Sequence, residues 1–86
     1  MSKVNKYLVV CNDMRDMSHT FDFTVAYFKP TIDRIDKRTM TIYFKHGDLT
    51  IRFCPRSSEN KASQGFRGVI LVSDSFRKNL EEIHKR

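Results

Sequence analysis

Asp13 and Asp74 are the two carboxylates whose placement could support chemistry, because each follows a short apolar run by two residues, KYLVVC at 6–11 and VILV at 69–72. If those runs are neighbouring parallel strands, both acids stand at strand carboxyl ends, where ligand sites of α/β sheets gather. With Asp16 nearby they could then share a divalent cation. Each acid is also placed to cap the helix after it, and capping is the favoured role. Metal ligation by Asp13 and Asp74 is kept as an alternative, with no metal expected. A zinc site needs three or four ligands at workable spacing, and Cys11, His19, His46, Cys54 and His84 contain no CxxC, HxxxH or CxxH pair.

Other catalytic chemistry finds little support. Cys11 lies inside an apolar run, where a thiolate is poorly solvated and its pKa is raised. Ser73 and Ser75 flank Asp74 without a GxSxG turn, so all three are expected to act as N-caps. Gly47, Gly65 and Gly68 form neither GxGxxG nor GxxxxGK[ST], which removes the common nucleotide-binding loops. No catalytic residue and no cofactor are expected. Cys11 and Cys54 are expected to be free, buried thiols, which together with the absence of an export signal points to a cytoplasmic location.

A second group of residues suits binding. Tyr43, Lys45 and Arg52 share the polar side of a β-hairpin, and Arg56, Lys61 and Arg67 lie on the loop that follows, residues 55–68. Cations of this kind neutralise phosphates, and a tyrosine among them can stack on an unpaired base. The chain as a whole is basic, with 16 Lys and Arg against 10 Asp and Glu and a formal charge of +6. Such a balance fits nucleic acid or an acidic protein surface as partner, and also serves plain solubility.

The elements that must position these groups are legible in part. Eighty-six residues make one domain with a thin core. KYLVVC and VILV have no polar face, so both are expected to be interior strands covered on two sides. Met17, Phe21, Val25 and Phe28 form one helical stripe, entered at Asp13, Asp16 or Ser18 and stopped by Pro30. Residues 31–37, with Ile32 and Ile35 three apart, fit either a helical turn or a crossing segment.

The stretch RTMTIYFKHGDLTIRF, 38–53, reads as a hairpin. A His46-Gly47 loop pairs Phe44 with Leu49, Ile42 with Ile51 and Met40 with Phe53 on an apolar face. It pairs Lys45 with Asp48, Tyr43 with Thr50 and Thr41 with Arg52 on a polar one. Residues 55–68 read as a flexible basic loop, and Phe76, Leu80 and Ile83 as the buried stripe of a terminal helix ending in His84, Lys85 and Arg86. The expected fold is α+β, or small α/β, in the order β-α-β-β-β-α: a mixed four-stranded sheet with two helices packed on it.

The run from RTMTIYFKHGDLTIRF through GFRGVILVSDSF resembles the middle of the ATPase domain of phage large terminases, in its order of strand, Gly turn, strand, Gly-containing loop and Walker B strand. Residues 6–28 are similar to the strand and helix before it. The resemblance matches Asp74 to the metal-side Walker B acid, but places Ser75 where the catalytic glutamate belongs and offers no Walker A loop. It therefore implies a phage-like relative that does not hydrolyse ATP and binds DNA or a DNA-processing partner.

The expected function is a small non-enzymatic binding module that engages DNA, RNA or an acidic partner through Tyr43, Lys45, Arg52, Arg56, Lys61 and Arg67. Two rival classes are a protein-interaction module, either a modulator of a larger enzyme or a homodimer formed through a sheet edge, and a metal-dependent enzyme using Asp13 and Asp74. No apolar run approaches the roughly 18 to 20 residues that span a bilayer, so no membrane partner is expected.

Overall fold

A computed structural model describes residues 6–45 and 49–84. Among them, five strands form one mixed sheet: β1 (Lys6–Cys11), β2 (Ile32–Asp36), β3 (Thr41–Phe44), β4 (Thr50–Pro55) and β5 (Val69–Val72), in the spatial order β2-β3-β4-β1-β5. β1 runs parallel to both β4 and β5, while β3 is antiparallel to β2 and β4. Four α-helices accompany the sheet: α1 (Met14–Phe28), α2 (Glu59–Ser63), α3 (Ser73–Lys78) and α4 (Leu80–His84).

The expected hairpin register is the observed one: Thr41 pairs with Arg52, Ile42 with Ile51 and Tyr43 with Thr50. The Phe44 amide donates to the Leu49 carbonyl (3.1 Å) and the Phe53 amide to that of Met40 (2.9 Å), which extends the pattern at both ends. The tip His46-Gly47-Asp48, and with it the Lys45–Asp48 pair, lies outside the described residues, as do Lys85 and Arg86.

The sheet has a fifth strand because 32–36 is extended and pairs with β3. Its register shifts between Ile32 and Arg34, where a bulge absorbs one residue. Ile32 opposite Phe44 and Ile35 opposite Ile42 thereby reach the same face although they are three apart, a spacing that in sequence imitates a helical turn.

α1 rests on that same face. Asp13 is its N-cap, accepting a 2.8 Å bond from the Asp16 amide, and the helix gives way after Phe28 to a 3₁₀ turn containing Pro30. Met17, Phe21 and Phe28 are buried as the stripe requires. Thr20 and Thr24 are buried beside them, and the Thr24 hydroxyl bonds the Thr20 carbonyl at 2.7 Å, which removes the cost of burying it. Edge-to-face ring pairs Phe21–Phe53, Phe53–Phe76 and Phe28–Phe44, with centroids 5.1 to 5.7 Å apart, fill the space between α1, α3 and the sheet.

The terminal segment is two short helices rather than one. Asn79 separates them: its amide bonds the Ser75 and Phe76 carbonyls, and its side-chain Nδ2 bonds the Ser75 carbonyl again at 2.8 Å. Phe76, Leu80 and Ile83 are nonetheless all buried. Nor do Ser73, Asp74 or Ser75 cap α3. The cap position is Val72, without a side-chain bond, because the Ser73 hydroxyl is engaged elsewhere.

The opposite face of the sheet is treated differently. Residues 55–68 include a 3₁₀ turn (Arg56–Ser58) and α2, and Ala62 and Phe66 from this segment cover Leu8, Val10 and Cys54. β1 is thus enclosed on both sides, as an interior strand. β5 is not: it lies at the sheet edge, with Ile70 and Val72 each 44 % exposed. No helix among the described residues is long and apolar enough to cross a membrane.

Candidate nucleic-acid interface

Alternation along the strands decides which groups reach the face opposite α1. Register places Arg34, Tyr43, Thr50 and Lys6 in one row across β2, β3, β4 and β1, and Asp36, Thr41, Arg52, Leu8 and Ile70 in the next, extended to β5. α2 closes only part of this surface. Arg52 stays exposed and Tyr43 is half-buried. The Arg34 guanidinium lies over the Tyr43 ring at 4.0 Å from its centroid, so one ring face is already held in a cation–π contact. What this pair offers a partner is a flat, positively charged guanidinium plane.

At the carboxyl end of β4 the surface deepens into an open groove of about 600 Å³. Its walls come from three places: the β2–β3 turn (Lys37, Arg38, Thr39, Met40), the end of β4 (Arg52 to Pro55), and the start of α1 with α2 (Met14, Met17, Ser58, Lys61, Ala62). Lys37, Arg38, Arg52 and Lys61 are exposed at its rim, and no described carboxylate lines it. Apart from the cations the lining is largely apolar, and its methionine side chains adapt to irregular flat groups. Asp36 shapes the turn, its Oδ1 accepting the Arg38 amide at 3.0 Å, and Met40 closes it at a positive φ of 52° that a non-glycine residue adopts only under strain.

Of the residues expected to bind, Arg52 and Lys61 therefore meet in one groove. Tyr43 lies on the same face under Arg34. Lys45 follows β3 and is exposed, its amide bonding the Thr31 carbonyl at 3.0 Å. Arg56, on the 3₁₀ turn, and Arg67, just before β5, are exposed but do not line the groove. Lys37, Arg38 and Arg34 were not among the expected residues. Recognising 32–36 as a strand is the signal that would have found them, since a further hairpin turn then brings Lys37 and Arg38 beside the end of β4.

The strand-end acids meet a different fate. β1 and β5 are adjacent and parallel, as the metal alternative requires. Yet the Asp16 carboxylate accepts bonds from the Asn12 amide (2.9 Å), the Ser73 hydroxyl (2.7 Å) and Arg77 (3.4 Å). Those bonds, the Asn12 amide first and the Ser73 hydroxyl next, hold its pKa below the ordinary value. Arg77 also bonds Thr20 at 2.8 Å and Asp74 at 3.2 Å, while Asp13 caps α1. Asp16 thus joins α1 to α3, Asp13 is taken up in capping α1 and Asp74 pairs within α3, and no group of three or more potential metal ligands occurs among the described residues.

The cysteines are both free and buried, and they point to opposite faces of the sheet, Cys11 toward α1 and Cys54 toward α2. Burial, reinforced by the nearby Asp16 charge, pushes the Cys11 thiol up to about 12, so it is protonated and unreactive at neutral pH. Burial raises Cys54 as well.

No protein-family model matches this chain, and neither a curated protein nor a solved structure matches it.

Proposed function

We propose that the protein is a non-enzymatic module that binds single-stranded nucleic acid along the α2-side face of its sheet, with the groove at the end of β4 as the anchor. The observation that carries this is the groove itself: four cations with an otherwise largely apolar lining that includes no described carboxylate. Lys37, Arg38, Arg52 and Lys61 engage successive phosphates. The Arg34–Tyr43 pair and the groove lining supply flat or adaptable surfaces on which unpaired bases rest. Lys45, Arg56 and Arg67 lie around this surface and lengthen the path a backbone can follow.

Single strands are favoured over duplex because the groove is walled by a turn and a short helix, and among the described residues no long helix or two-stranded ribbon projects from this face to enter a major groove. Retention on a labelled oligonucleotide, measured as salt is raised, tests this. Four neutralised phosphates give a log–log slope of about −2.8 for a single strand. Loss of all retention at low salt would remove nucleic acid as partner and leave an acidic protein surface as what the cations serve. Tighter retention of duplex than of single strand would show that the groove is not the anchor.

A further inference from the structure

We infer that two copies of this chain associate through β5, pairing antiparallel about a two-fold axis at Leu71, so that Ile70 of each copy lies opposite the partner's Val72. This goes beyond nucleic-acid binding and does not depend on it.

The sheet has two edges, and they are built differently. β2 carries Asp33, Arg34 and Asp36 and a bulge near its start, devices that discourage a further strand from adding. β5 has no charge, no proline and no bulge within VILV, and among the described residues it is paired on one side only, to β1. Its sequence is apolar toward both faces, yet Ile70 and Val72 are 44 % exposed and Val69 and Leu71 only half-buried. A strand with that composition and that exposure leaves unpaired backbone groups beside apolar side chains, which a sixth strand added to the sheet satisfies together.

A second copy fits this edge better than an unrelated strand. Residues directly opposite each other must point to the same face, so the two-fold axis passes through a residue and not between two. With Leu71 on the axis each exposed Ile70 meets the partner's exposed Val72, whereas with Ile70 on it Val72 would face Gly68. In the Leu71 register the exposed Ile70 and Val72 of the two copies form one four-residue apolar patch on the α2 side. The charges at the strand ends agree with this direction. Arg67 precedes β5 and Asp74 follows it, both exposed, so antiparallel pairing brings the Arg67 end of one copy to the Asp74 end of the other, whereas parallel pairing brings like to like. The two-fold axis stands normal to the sheet, so both α1–α3 layers lie on one side and both basic faces on the other, as one longer surface.

A four-residue edge buries less than a standard interface, so the dimer is weak and concentration-dependent. Sedimentation velocity on nuclease-treated protein should show monomer giving way to dimer between about 1 μM and 1 mM. An Ile70→Lys/Val72→Lys chain, and separately an Ile70→Glu/Val72→Glu chain, should each associate at least tenfold more weakly. Mixed together, they should form a heterodimer in which opposite charges face across the axis. In a Leu71→Cys variant the two Cα atoms on the axis stand about 4.5 to 5.5 Å apart, within disulfide range, so two thiols should be oxidised to one intermolecular bond as oxidised glutathione is reduced. Wild-type protein, whose cysteines are buried, should not cross-link. The inference is overturned by a wild type that stays monomeric at about 1 mM, by lysine variants that still dimerise, or by a folded Leu71→Cys chain that yields no covalent dimer. Should the charged variants fail to fold, the cross-link decides.

Discussion

The two faces of this sheet are made from the same strands and do opposite things. Toward α1, α3 and α4, the residues Tyr7, Val9, Cys11, Ile42, Phe44, Ile51 and Phe53 are almost wholly buried. Toward α2, the alternate residues include Arg34, Tyr43, Thr50 and Arg52, of which only a part is covered. The first face supplies the stability of a small domain, where there is little apolar surface to spare. The second is left to carry charge. Among the described residues the ion pairs are both made by Arg77, on the first side and at the strand ends, while none involves the groove cations Lys37, Arg38, Arg52 and Lys61. The ion pairs and the exposed groove cations are thus kept apart.

The strongest way to break this contrast is in the ring stack. Phe76→Ala should destabilise the domain by about 3–5 kcal/mol in urea unfolding, because a wholly buried ring that packs edge-to-face on Phe53 leaves a cavity. A cost near zero would mean that the helix-covered face is not the seat of stability. Gly68→Ala should cost about 3 kcal/mol, since a Cβ there would collide with the Lys6 carbonyl oxygen, a backbone group that cannot turn aside. The probe is again urea, with loss of β1–β5 amide protection as the specific sign.

Asp16→Ala should cost about 2 kcal/mol through the hydrogen bonds to a charged acceptor that it removes. Because the folded pKa of Asp16 is depressed, its contribution is fully present above the unfolded value, about 3.9, and fades as pH falls through the lower folded value. The gap between wild type and variant should therefore narrow in acid. A gap that widens as pH drops would contradict the assigned bonds. The smallest effect on stability belongs to Arg52→Glu with Lys61→Glu, within about 0.5 kcal/mol for exposed side chains. That same pair should abolish retention on single-stranded nucleic acid at moderate salt. Retention unchanged by it would place any binding surface elsewhere.

Local patterns were legible where they had one interpretation. The hairpin register from Thr41 to Arg52 followed from parity, since a slip of one residue would turn every apolar side chain outward. The α1 stripe and its end before Pro30 followed from spacing and from proline geometry, and Asp13 is the one of the three candidate caps, with Asp16 and Ser18, that the helix uses. Two segments misled for identifiable reasons. Ile32 and Ile35 imitate a helical turn because a bulge lets residues three apart share a sheet face. VILV imitates an interior strand because composition reports which faces are apolar, not whether another element of the same chain arrives to cover them. Of the residues expected to bind, Arg52 and Lys61 came together in one groove, whereas the Lys37 and Arg38 that join them there depended on the unrecognised strand.

From its residues alone this chain specified four of the strands, the pairing of β3 with β4, the apolar stripes of α1 and of the terminal helical segment and a surplus of positive charge, because each depends on neighbours within a few positions. Which strands became edges, which acids met Arg77, and which cations lined a single groove depended on contacts between residues far apart in sequence. Ser73 and Asp16 are 57 positions apart and bond at 2.7 Å. Only the order β2-β3-β4-β1-β5 brings such groups together, and that order is a property of the packed sheet as a whole.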